Sequence, residues 1–424
     1  MERGSLTVDR LAGRGVSMRR LFTLLMVLLA PQTVAAGDDA VARASAVVER
    51  LAGEELRGRG AGSPQLDHAR DLVVGWMEEA GLQPGFGDGW LQDFSGPDGV
   101  RLTNVVGRLP GSGSGDGWLL VGAHYDGLGV GAEDSAFPGE IHPGADDNAS
   151  GVAALLEAAR AVAAEGPLQR TVYFAAFSGE EIGRLGSIHL ADHPPEPLTS
   201  AIAMLNLDTV GGVEEDRLIV FGTGTAEEFP DILRGVNYPY GFDLSLSKEG
   251  AGASDHASFF AKGIPVLHFF SGAKPGYHRP GDVVDFVDPE GVVRVGGLVG
   301  ELAIYLADSG EELSFVPAGA ERLAKKAPRP GGKRKARRVS VGTIPDFGRE
   351  SGGILLSGVL PGSPAEEAGL RKGDLLVAAD ETALDNIYDY QGVLSELNPG
   401  DPVIFRIVRD GETREVEVTV RARK

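Results

Sequence analysis

The residues of this chain that could carry chemistry are histidines and acids spread along its N-terminal two thirds. They are His124, Asp146, Asp147, Glu180, Glu181, Asp208 and His278. Imidazole and carboxylate groups are zinc ligands, and the chain contains no cysteine that could take their place. The pattern therefore predicts a metal centre with nitrogen and oxygen ligands. A carboxylate that does not bind the metal can accept and release protons beside it.

Short apolar runs rich in β-branched and aromatic residues precede most of these side chains and predict buried strands. We predict strands at Trp118–Ala123, Thr171–Phe177, Ala201–Leu207, Arg217–Phe221 and Pro265–Phe270. Amphipathic patterns predict helices at Gln65–Ala80, Ser150–Ala164, Ala226–Leu233 and Pro289–Leu306. Apolar strands that alternate with helices indicate the α/β class, with a mixed, mostly parallel sheet sandwiched by helices.

The predicted strands would bring the acids and histidines together. Four positions follow the ends of strands, namely His124, the pair Glu180–Glu181, Asp208 and His278, and Asp147 lies just before the helix that begins near Ser150. In an open α/β sheet, functional sites form beyond the carboxyl ends of the strands. Residues far apart in the sequence can therefore meet in one crevice. The adjacent acids leave two choices open, between Asp146 and Asp147 and between Glu180 and Glu181.

The composition excludes several classes of protein. The chain has 424 residues, with 61 Asp and Glu against 40 Lys and Arg, and a formal net charge of -21. Such an acidic chain lacks the basic surface that general nucleic-acid binding requires. The absence of cysteine excludes disulfides, thiolate catalysis and cysteine-ligated zinc. With 42% hydrophobic residues the chain is globular, and its length corresponds to two or three domains.

The first 36 residues have the pattern of a signal peptide. Arg19 and Arg20 precede an apolar run from Leu21 to Ala30, and small residues follow up to a cleavage site after Ala36. Met18 stands directly before the arginines and is an alternative start of translation. As a helix the apolar run would span about half of a bilayer, so we expect export to the periplasm or the medium without a permanent membrane span.

The remainder divides into two folded parts and a linker. We place the first domain at residues 37–316, a basic Pro/Gly-containing linker at 317–338, and a small β-rich unit at 339–424. From Arg322 to Arg338, nine of 17 residues are Lys or Arg and none is acidic. Such a composition is typical of a solvated tether.

The chemical motifs resemble those of the secreted two-zinc aminopeptidases, which are the co-catalytic leucyl-aminopeptidase-type enzymes related to aminopeptidase Y and glutamate carboxypeptidase. The segments that carry the resemblance are His124–Asp126, Gly144–Gly151, Gly179–Glu181, Asn206–Asp208 and Tyr277–His278. The resemblance implies a zinc exopeptidase-like fold and two zinc ions as cofactors. It selects Asp147 as the shared ligand that bridges both ions. The other implied ligands are His124 and Asp208 on one ion, and Glu181 and His278 on the other.

The same resemblance implies roles for three side chains that do not bind the metals. Glu180 would be the general base, Asp126 would orient His124, and Tyr277 would stabilise the oxyanion. The implied reaction is hydrolysis of the N-terminal peptide bond by a metal-bridging hydroxide. Two zinc ions, three carboxylates and one hydroxide have no net charge, as a partly buried site requires. The alternatives are a glutaminyl-cyclase-like activity, which uses one zinc, a carboxypeptidase activity, and a non-catalytic peptide-binding scaffold.

The C-terminal unit resembles a bacterial-type PDZ domain. The resemblance lies in Val341–Ile344, Gly353–Leu356, Pro361–Ala365 and Ala368–Asp374. Such domains add a peptide end as a strand at a sheet edge and capture its carboxylate with backbone amides. The resemblance implies that this loop consists of Val341, Gly342, Thr343 and Ile344. The expected partners are peptide substrates at the first domain and the C-terminus of a peptide or protein at the second.

Overall fold

The fold is described from a computed structural model of the chain. The structure describes residues 37–133, 135, 137–318, 339–346 and 351–422. The predicted signal peptide, and residues 319–338 of the predicted linker, lie outside the described residues. None of the helices in the described ranges is both long enough and apolar enough to cross a bilayer.

A nine-stranded sheet forms the centre of the N-terminal part. The strands of this part are β1 (Gln83–Pro84), β2 (Leu91–Ser95), β3 (Arg101–Leu109), β4 (Trp118–His124), β5 (Gly129–Val130), β6 (Ile141–His142), β7 (Thr171–Phe177), β8 (Ala201–Leu207), β9 (Arg217–Phe221), β10 (Asp243–Leu246) and β11 (Val266–Phe270). The sheet has the order β1-β3-β7-β4-β8-β11-β9-β10, with β2 beside β3, while β5 and β6 pair separately. Its central strands β7, β4, β8 and β11 are parallel.

Helices cover both faces of this sheet. They are α1 (Asp38–Leu51), α2 (Pro64–Glu79), α3 (Gly151–Glu165), α4 (Leu185–Asp192), α5 (Phe229–Asn237), α6 (His256–Phe260) and α7 (Pro289–Asp308). Successive side chains of a strand point to opposite faces. On β4, Leu119 and Val121 enter the core that contains α1, α3 and α7, whereas Leu120 enters the core that contains α4 and α6.

The predicted α/β class is confirmed, and the strand directions refine it. The strands predicted at Thr171–Phe177, Ala201–Leu207 and Arg217–Phe221 correspond to β7, β8 and β9 with the same bounds. The sheet contains four parallel and four antiparallel strand pairs. The pair β2–β3 is antiparallel because a short turn joins these strands, and such a turn forms a hairpin. Helix α5 begins at Phe229, later than predicted, because Pro230 occupies its first turn.

The C-terminal unit is a small, mainly antiparallel β structure with two helices. Its strands are β12 (Val339–Ser340), β13 (Thr343–Pro345), β14 (Ile354–Val359), β15 (Leu375–Ala379), β16 (Thr382–Ala383), β17 (Pro402–Arg409), β18 (Glu412–Thr419) and β19 (Arg421–Ala422). Its helices are α8 (Pro364–Glu367) and α9 (Ile387–Glu396). The main sheet has the order β13-β14-β15-β17-β18, with β16 beside β15, so β13 is an edge strand among the residues that the structure describes.

The backbone of β13 alternates between its neighbour β14 and the free edge. The Gly342 carbonyl accepts from the Leu360 amide at 2.7 Å, and the Asp346 amide donates to the Leu355 carbonyl at 2.8 Å. Because backbone groups alternate in direction along a strand, those of Thr343 face the free edge, and a register shift between Ile344 and Pro345 interrupts the regular pairing with β14. Proline has no N–H, so Pro345 offers no donor, and its carbonyl accepts from the Ser357 hydroxyl of β14 at 3.4 Å.

Candidate metal centre

Five predicted ligands converge on two overlapping clusters that share Asp147. Within each cluster the candidate ligand atoms lie within 4.8 Å of one another. The clusters are His124, Asp147 and Asp208, and Asp147, Glu181 and His278. Asp147 points one carboxylate oxygen to each histidine: Oδ1 lies 3.3 Å from His124 Nε2, and Oδ2 lies 3.0 Å from His278 Nε2. This is the arrangement of donors that a carboxylate bridging two metal ions requires.

The other two carboxylates complete the clusters. Asp208 Oδ1 lies 3.4 Å from His124 Nε2, and Glu181 Oε2 lies 3.8 Å from His278 Nε2. His124 Nε2 is buried and makes no hydrogen bond of acceptable geometry within the described part of the chain. A buried nitrogen that faces two carboxylates without such a bond fits a zinc ion at the point where they meet.

The sheet determines where these side chains lie. His124 is the last residue of β4, whose parallel neighbours are β7 and β8, and Asp208 directly follows β8. His124 lies opposite Phe177, the last residue of β7, so the chain leaves β7 beside it and continues to Glu180 and Glu181. The carboxyl ends of three adjacent parallel strands thus supply one half of the site, as the sequence predicted.

The loops that carry Asp147 and His278 close the site from the other side. Asp147 lies in the turn of residues 145–150 that precedes α3, and the peptide bond between Asp147 and Asn148 is cis. Asn148 Oδ1 accepts from the amides of Gly151 and Thr209, which ties this turn to α3 and to the segment after β8. His278 follows β11 in a turn and leaves 44% of its side chain exposed. The site is therefore open to solvent on the side of His278.

Burial and mutual charge shift the pKa values of the site residues. Burial acts to lower the pKa of His124, but Asp208 and the other carboxylates prevail and raise it well above its usual value. Burial acts to raise the pKa of Asp147, but its contacts with His124 and His278 lower it strongly. For Glu181, burial and the negative charge of Asp147 raise the pKa well above the usual range. The acids of this cluster therefore need positive charge beside them to remain ionised together.

Glu180 lies beside the clusters and belongs to neither of them. Burial, followed by the negative charges of Asp255, Asp208 and Glu181, raises the pKa of Glu180 to about 10, against the opposing effect of His124. Tyr277 stacks on His278, with ring centroids 3.9 Å apart. Two of the three side chains predicted to assist the reaction, Glu180 and Tyr277, therefore adjoin the predicted ligands.

Asp126 makes a contact that the sequence did not reveal. Its two carboxylate oxygens accept from the backbone amides of Glu180 and Glu181, at 3.1 and 3.3 Å. Its predicted partner, His124 Nδ1, lies 3.7 Å from the carboxylate and 3.3 Å from the Asp126 backbone carbonyl. Asp126 therefore holds the turn that carries the two glutamates and also adjoins His124.

Asp146, the other candidate for the shared ligand, is turned away from both clusters. Its Oδ1 accepts from the amide of Gly211 at 2.7 Å and from the hydroxyl of Ser150 at 3.1 Å. His256, which we did not predict as a ligand, stacks on His268 with centroids 4.5 Å apart and lies outside both clusters. Asp146 thereby connects the turn before α3 to the segment after β8.

Two buried residues beside the site were missed by the sequence analysis. Asp282 accepts from the backbone amides of Asp146 and Asp147, at 2.9 and 3.0 Å. Arg59 is fully buried and donates to the carbonyls of four residues, which are Tyr125, Leu51, Pro143 and Gly144. Both residues bind main-chain atoms of distant loops, and no pattern of residue types in the sequence marks such contacts.

We expect replacement of Arg59 to lower the free energy of unfolding more than replacement of Asp282. The variant Arg59→Met removes the guanidinium donors from four carbonyls, of which that of Gly144 keeps the amide of Ala149, and it removes a positive charge close to Asp126 and Asp282. We expect the free energy of unfolding to fall by about 3–5 kcal/mol, as for other buried charges that lose their partner. Urea denaturation measures this change. The exposed neighbour Arg57, changed to Met, is the matched control, and equal denaturation midpoints for the two variants would contradict the prediction.

The loop predicted to capture a peptide carboxylate is a tight turn in the C-terminal unit. Gly342 has a φ of +84°, and a Cβ at this position would lie 2.2 Å from the Cβ of Ser363, so the turn requires glycine. The Val341 carbonyl accepts from the amide of Ala365 at 2.9 Å. The Thr343 hydroxyl is 2.6 Å from that of Tyr390 on α9, so the turn is tied to both helices of the unit.

Comparison with known proteins gives matches for both parts of the chain. The model of peptidase family M28 matches residues 104–303, and that of the PDZ domain matches residues 343–420. The chain is 33% identical to aminopeptidase YwaD of Bacillus subtilis over 204 residues, which cover 46% of this chain and 42% of that protein. The chain spans about half the length of the curated relatives it matches.

Solved structures share the fold at low sequence identity. A zinc aminopeptidase of Bacillus subtilis superimposes with a TM-score of 0.51 and 20% identity, covering 64% of this chain and 96% of that one. A glutaminyl cyclase of Porphyromonas gingivalis gives a TM-score of 0.51 and 22% identity, covering 62% and 96%. Such similarity supports the zinc exopeptidase-like architecture alone. The two family matches show that this chain carries a domain of peptidase family M28 followed by a PDZ domain.

Proposed function

We propose that the protein is a zinc-dependent aminopeptidase that hydrolyses the N-terminal peptide bond of peptides. The observation that supports this most strongly is a pair of three-residue clusters that share Asp147, with the carboxylate of Glu180 beside them. A shared carboxylate accounts for two ions, and the adjacent acid provides for proton transfer. The name of the relative YwaD, an aminopeptidase, agrees with this reaction.

The proposed ligands divide between two zinc ions. His124 and Asp208 would hold one ion, Glu181 and His278 the other, and Asp147 both. When bound, such a pair lowers the pKa of water and polarises the substrate carbonyl. The orphaned Nε2 of His124 and the converging carboxylates are the observations that fit zinc.

The remaining side chains would handle the proton and the substrate. Glu180 would take the proton of the attacking water and deliver it to the leaving amine. The Tyr277 hydroxyl would donate to the developing oxyanion, and burial keeps its pKa well above the usual range so that it retains this proton. Asp126 would hold Glu180 and Glu181 through their amides.

Two exposed apolar residues come shortly after site residues in the sequence. We expect their side chains to contact the side chain of the substrate's N-terminal residue. Ile182, directly after Glu181, is 46% exposed, and Leu128, two residues after Asp126, is 40% exposed. Contact with an apolar side chain of the substrate would remove apolar surface of both partners from water, which is favourable. We therefore expect a preference for peptides that begin with a large apolar residue.

A panel of aminoacyl-chromophore substrates tests the proposed activity. We expect the leucyl substrate to be cleaved faster than the glutamyl and lysyl ones, activity to vanish with a chelator, and zinc to restore it. N-terminally blocked peptides and an N-terminal glutaminyl peptide test for carboxypeptidase and cyclase activity, and zinc analysis distinguishes two ions from one. Cleavage of the blocked peptides alone, or a folded zinc-loaded protein that cleaves none, would contradict the proposal.

The PDZ domain would bind the C-terminus of a peptide or protein at its Val341–Ile344 loop. The tight turn at Gly342 and the free edge of β13 beside it support this assignment. Binding should depend on a free carboxylate, which fluorescence titration with free and amidated forms of one peptide measures.

Export to the periplasm or the medium, expected from the pattern before residue 37, is part of the same proposal.

A further inference from the structure

We propose that the PDZ domain docks on the M28 domain of the same chain through a charged surface. This surface consists of Glu214 and Arg217 on the M28 domain and Asp346 and Lys372 on the PDZ domain. Each side contributes one acid and one base, and each residue faces the opposite charge. The inference goes beyond peptide hydrolysis and peptide capture, and it does not depend on either activity.

The contact between Arg217 and Asp346 is the centre of this surface. Nη2 of Arg217 donates to both carboxylate oxygens of Asp346, at 2.8 and 2.7 Å. The Asp346 side chain is only 4% exposed, whereas that of Arg217 is 41% exposed. A carboxylate that is almost completely buried beside a guanidinium indicates a formed contact and not a chance approach of two surface charges.

A second pair lies at the rim of the same surface. Lys372 Nζ is 3.9 Å from Glu214 Oε2, and both side chains are more than two thirds exposed. Such an exposed pair contributes little to affinity by itself. It is informative because Glu214 and Arg217 belong to one short segment of the M28 domain and both meet PDZ residues of opposite charge.

Both sides of the surface are anchored within their own domains. Arg217 is the first residue of β9, and Asp216 beside it accepts from Arg294 on α7 at 2.6 Å. Asp346 follows β13 and is fixed to β14 by the bond of its amide to the Leu355 carbonyl. The contact therefore joins two segments that are each held in place by hydrogen bonds within their own domain.

The covalent connection makes a modest surface sufficient for docking. Linking two modules replaces their free concentrations with an effective concentration that reaches about millimolar values for short flexible linkers. Contacts too weak to hold two separate proteins together can then keep the domains associated. Because the contacts are ionic, docking should weaken with salt, as the screening length falls to about 3 Å at 1 M.

Cysteine cross-linking of the full chain tests the docking directly, because the natural sequence contains no cysteine that could interfere. The variant Glu214→Cys with Lys372→Cys replaces only the rim pair and leaves Arg217 and Asp346 in place. We expect a short bismaleimide to cross-link these two positions intramolecularly. The rate should be at least about tenfold higher than for a control with Glu214→Cys and Glu417→Cys, where the second cysteine lies on the outer strand β18. Salt at 1 M should slow the first reaction.

Charge reversal identifies the contact responsible. In the Glu214→Cys, Lys372→Cys background, Arg217→Glu and Asp346→Arg should each reduce the rate to that of the control, and their combination should restore it. The milder Asp346→Asn should also slow the reaction, and circular dichroism verifies that each variant is folded. Equal rates for the two cysteine pairs, or rates that do not respond to these charges in folded variants, would overturn the docking proposal while leaving the proposed peptidase activity unaffected.

Discussion

Glu180→Gln should lower kcat by about 10³-fold, within the range that positioned acid–base groups contribute. Glutamine keeps the shape of the side chain but cannot accept the proton of the attacking water. The amide of residue 180 would still donate to Asp126, so the turn and the neighbouring Glu181 should stay in place. The expected result is a folded protein that binds two zinc ions and turns over very slowly.

Steady-state kinetics together with zinc analysis measure this outcome. Glu79→Gln, the same change at an exposed position near the end of α2, is the matched control and should leave kcat unchanged. Glu181→Gln separates the roles of the two adjacent glutamates, because it should lose zinc as well as activity. If Glu180→Gln lost zinc and Glu181→Gln kept it, the assignment of base and ligand would have to be reversed.

Asp147→Ala should abolish binding of both zinc ions. Its two carboxylate oxygens face different histidines, so its removal takes one ligand from each cluster. We expect zinc content to fall from about two ions per chain to nearly none, and activity to fall with it. We expect zinc to raise the midpoint of thermal unfolding of the unchanged protein but not of Asp147→Ala. A ligand stabilises the folded state only when it binds to it.

Asp146→Asn is the control for this prediction because it changes the adjacent acid, which lies in neither cluster. It should retain both zinc ions, although its bonds to Gly211 and Ser150 will be altered. Zinc titration followed by calorimetry distinguishes the two variants. An Asp147→Ala protein that still binds two ions would show that Asp147 is not the shared ligand.

The sequence predicted the elements that place the site because their signals are local. The apolar runs at 171–177, 201–207 and 217–221 are strands with those bounds, and residues that follow parallel strands must meet at one edge of the sheet. Helix α1 was missed although its buried residues Ala44, Val47, Val48 and Leu51 follow helical spacing. This spacing is a local signal of the same kind as the apolar runs of the strands.

The contacts that support the site could not be predicted in this way. Arg59, Asp282 and the carboxylate of Asp126 bind backbone amides and carbonyls, which every residue possesses, so no residue type indicates the partner. Such contacts are decided by the path of distant loops. The docking contact of Arg217 with Asp346 is of the same kind, because surface charges are frequent and only the fold shows which of them meet.

Pro345 on the edge strand β13 has a consequence for how the protein behaves at high concentration. Exposed strand edges are templates on which other copies of a chain can pair, and natural proteins protect them with proline or charge. At this edge Pro345 provides no backbone donor. A β-strand of a second molecule would therefore lack one ladder hydrogen bond at Pro345, which disfavours continued pairing along this edge.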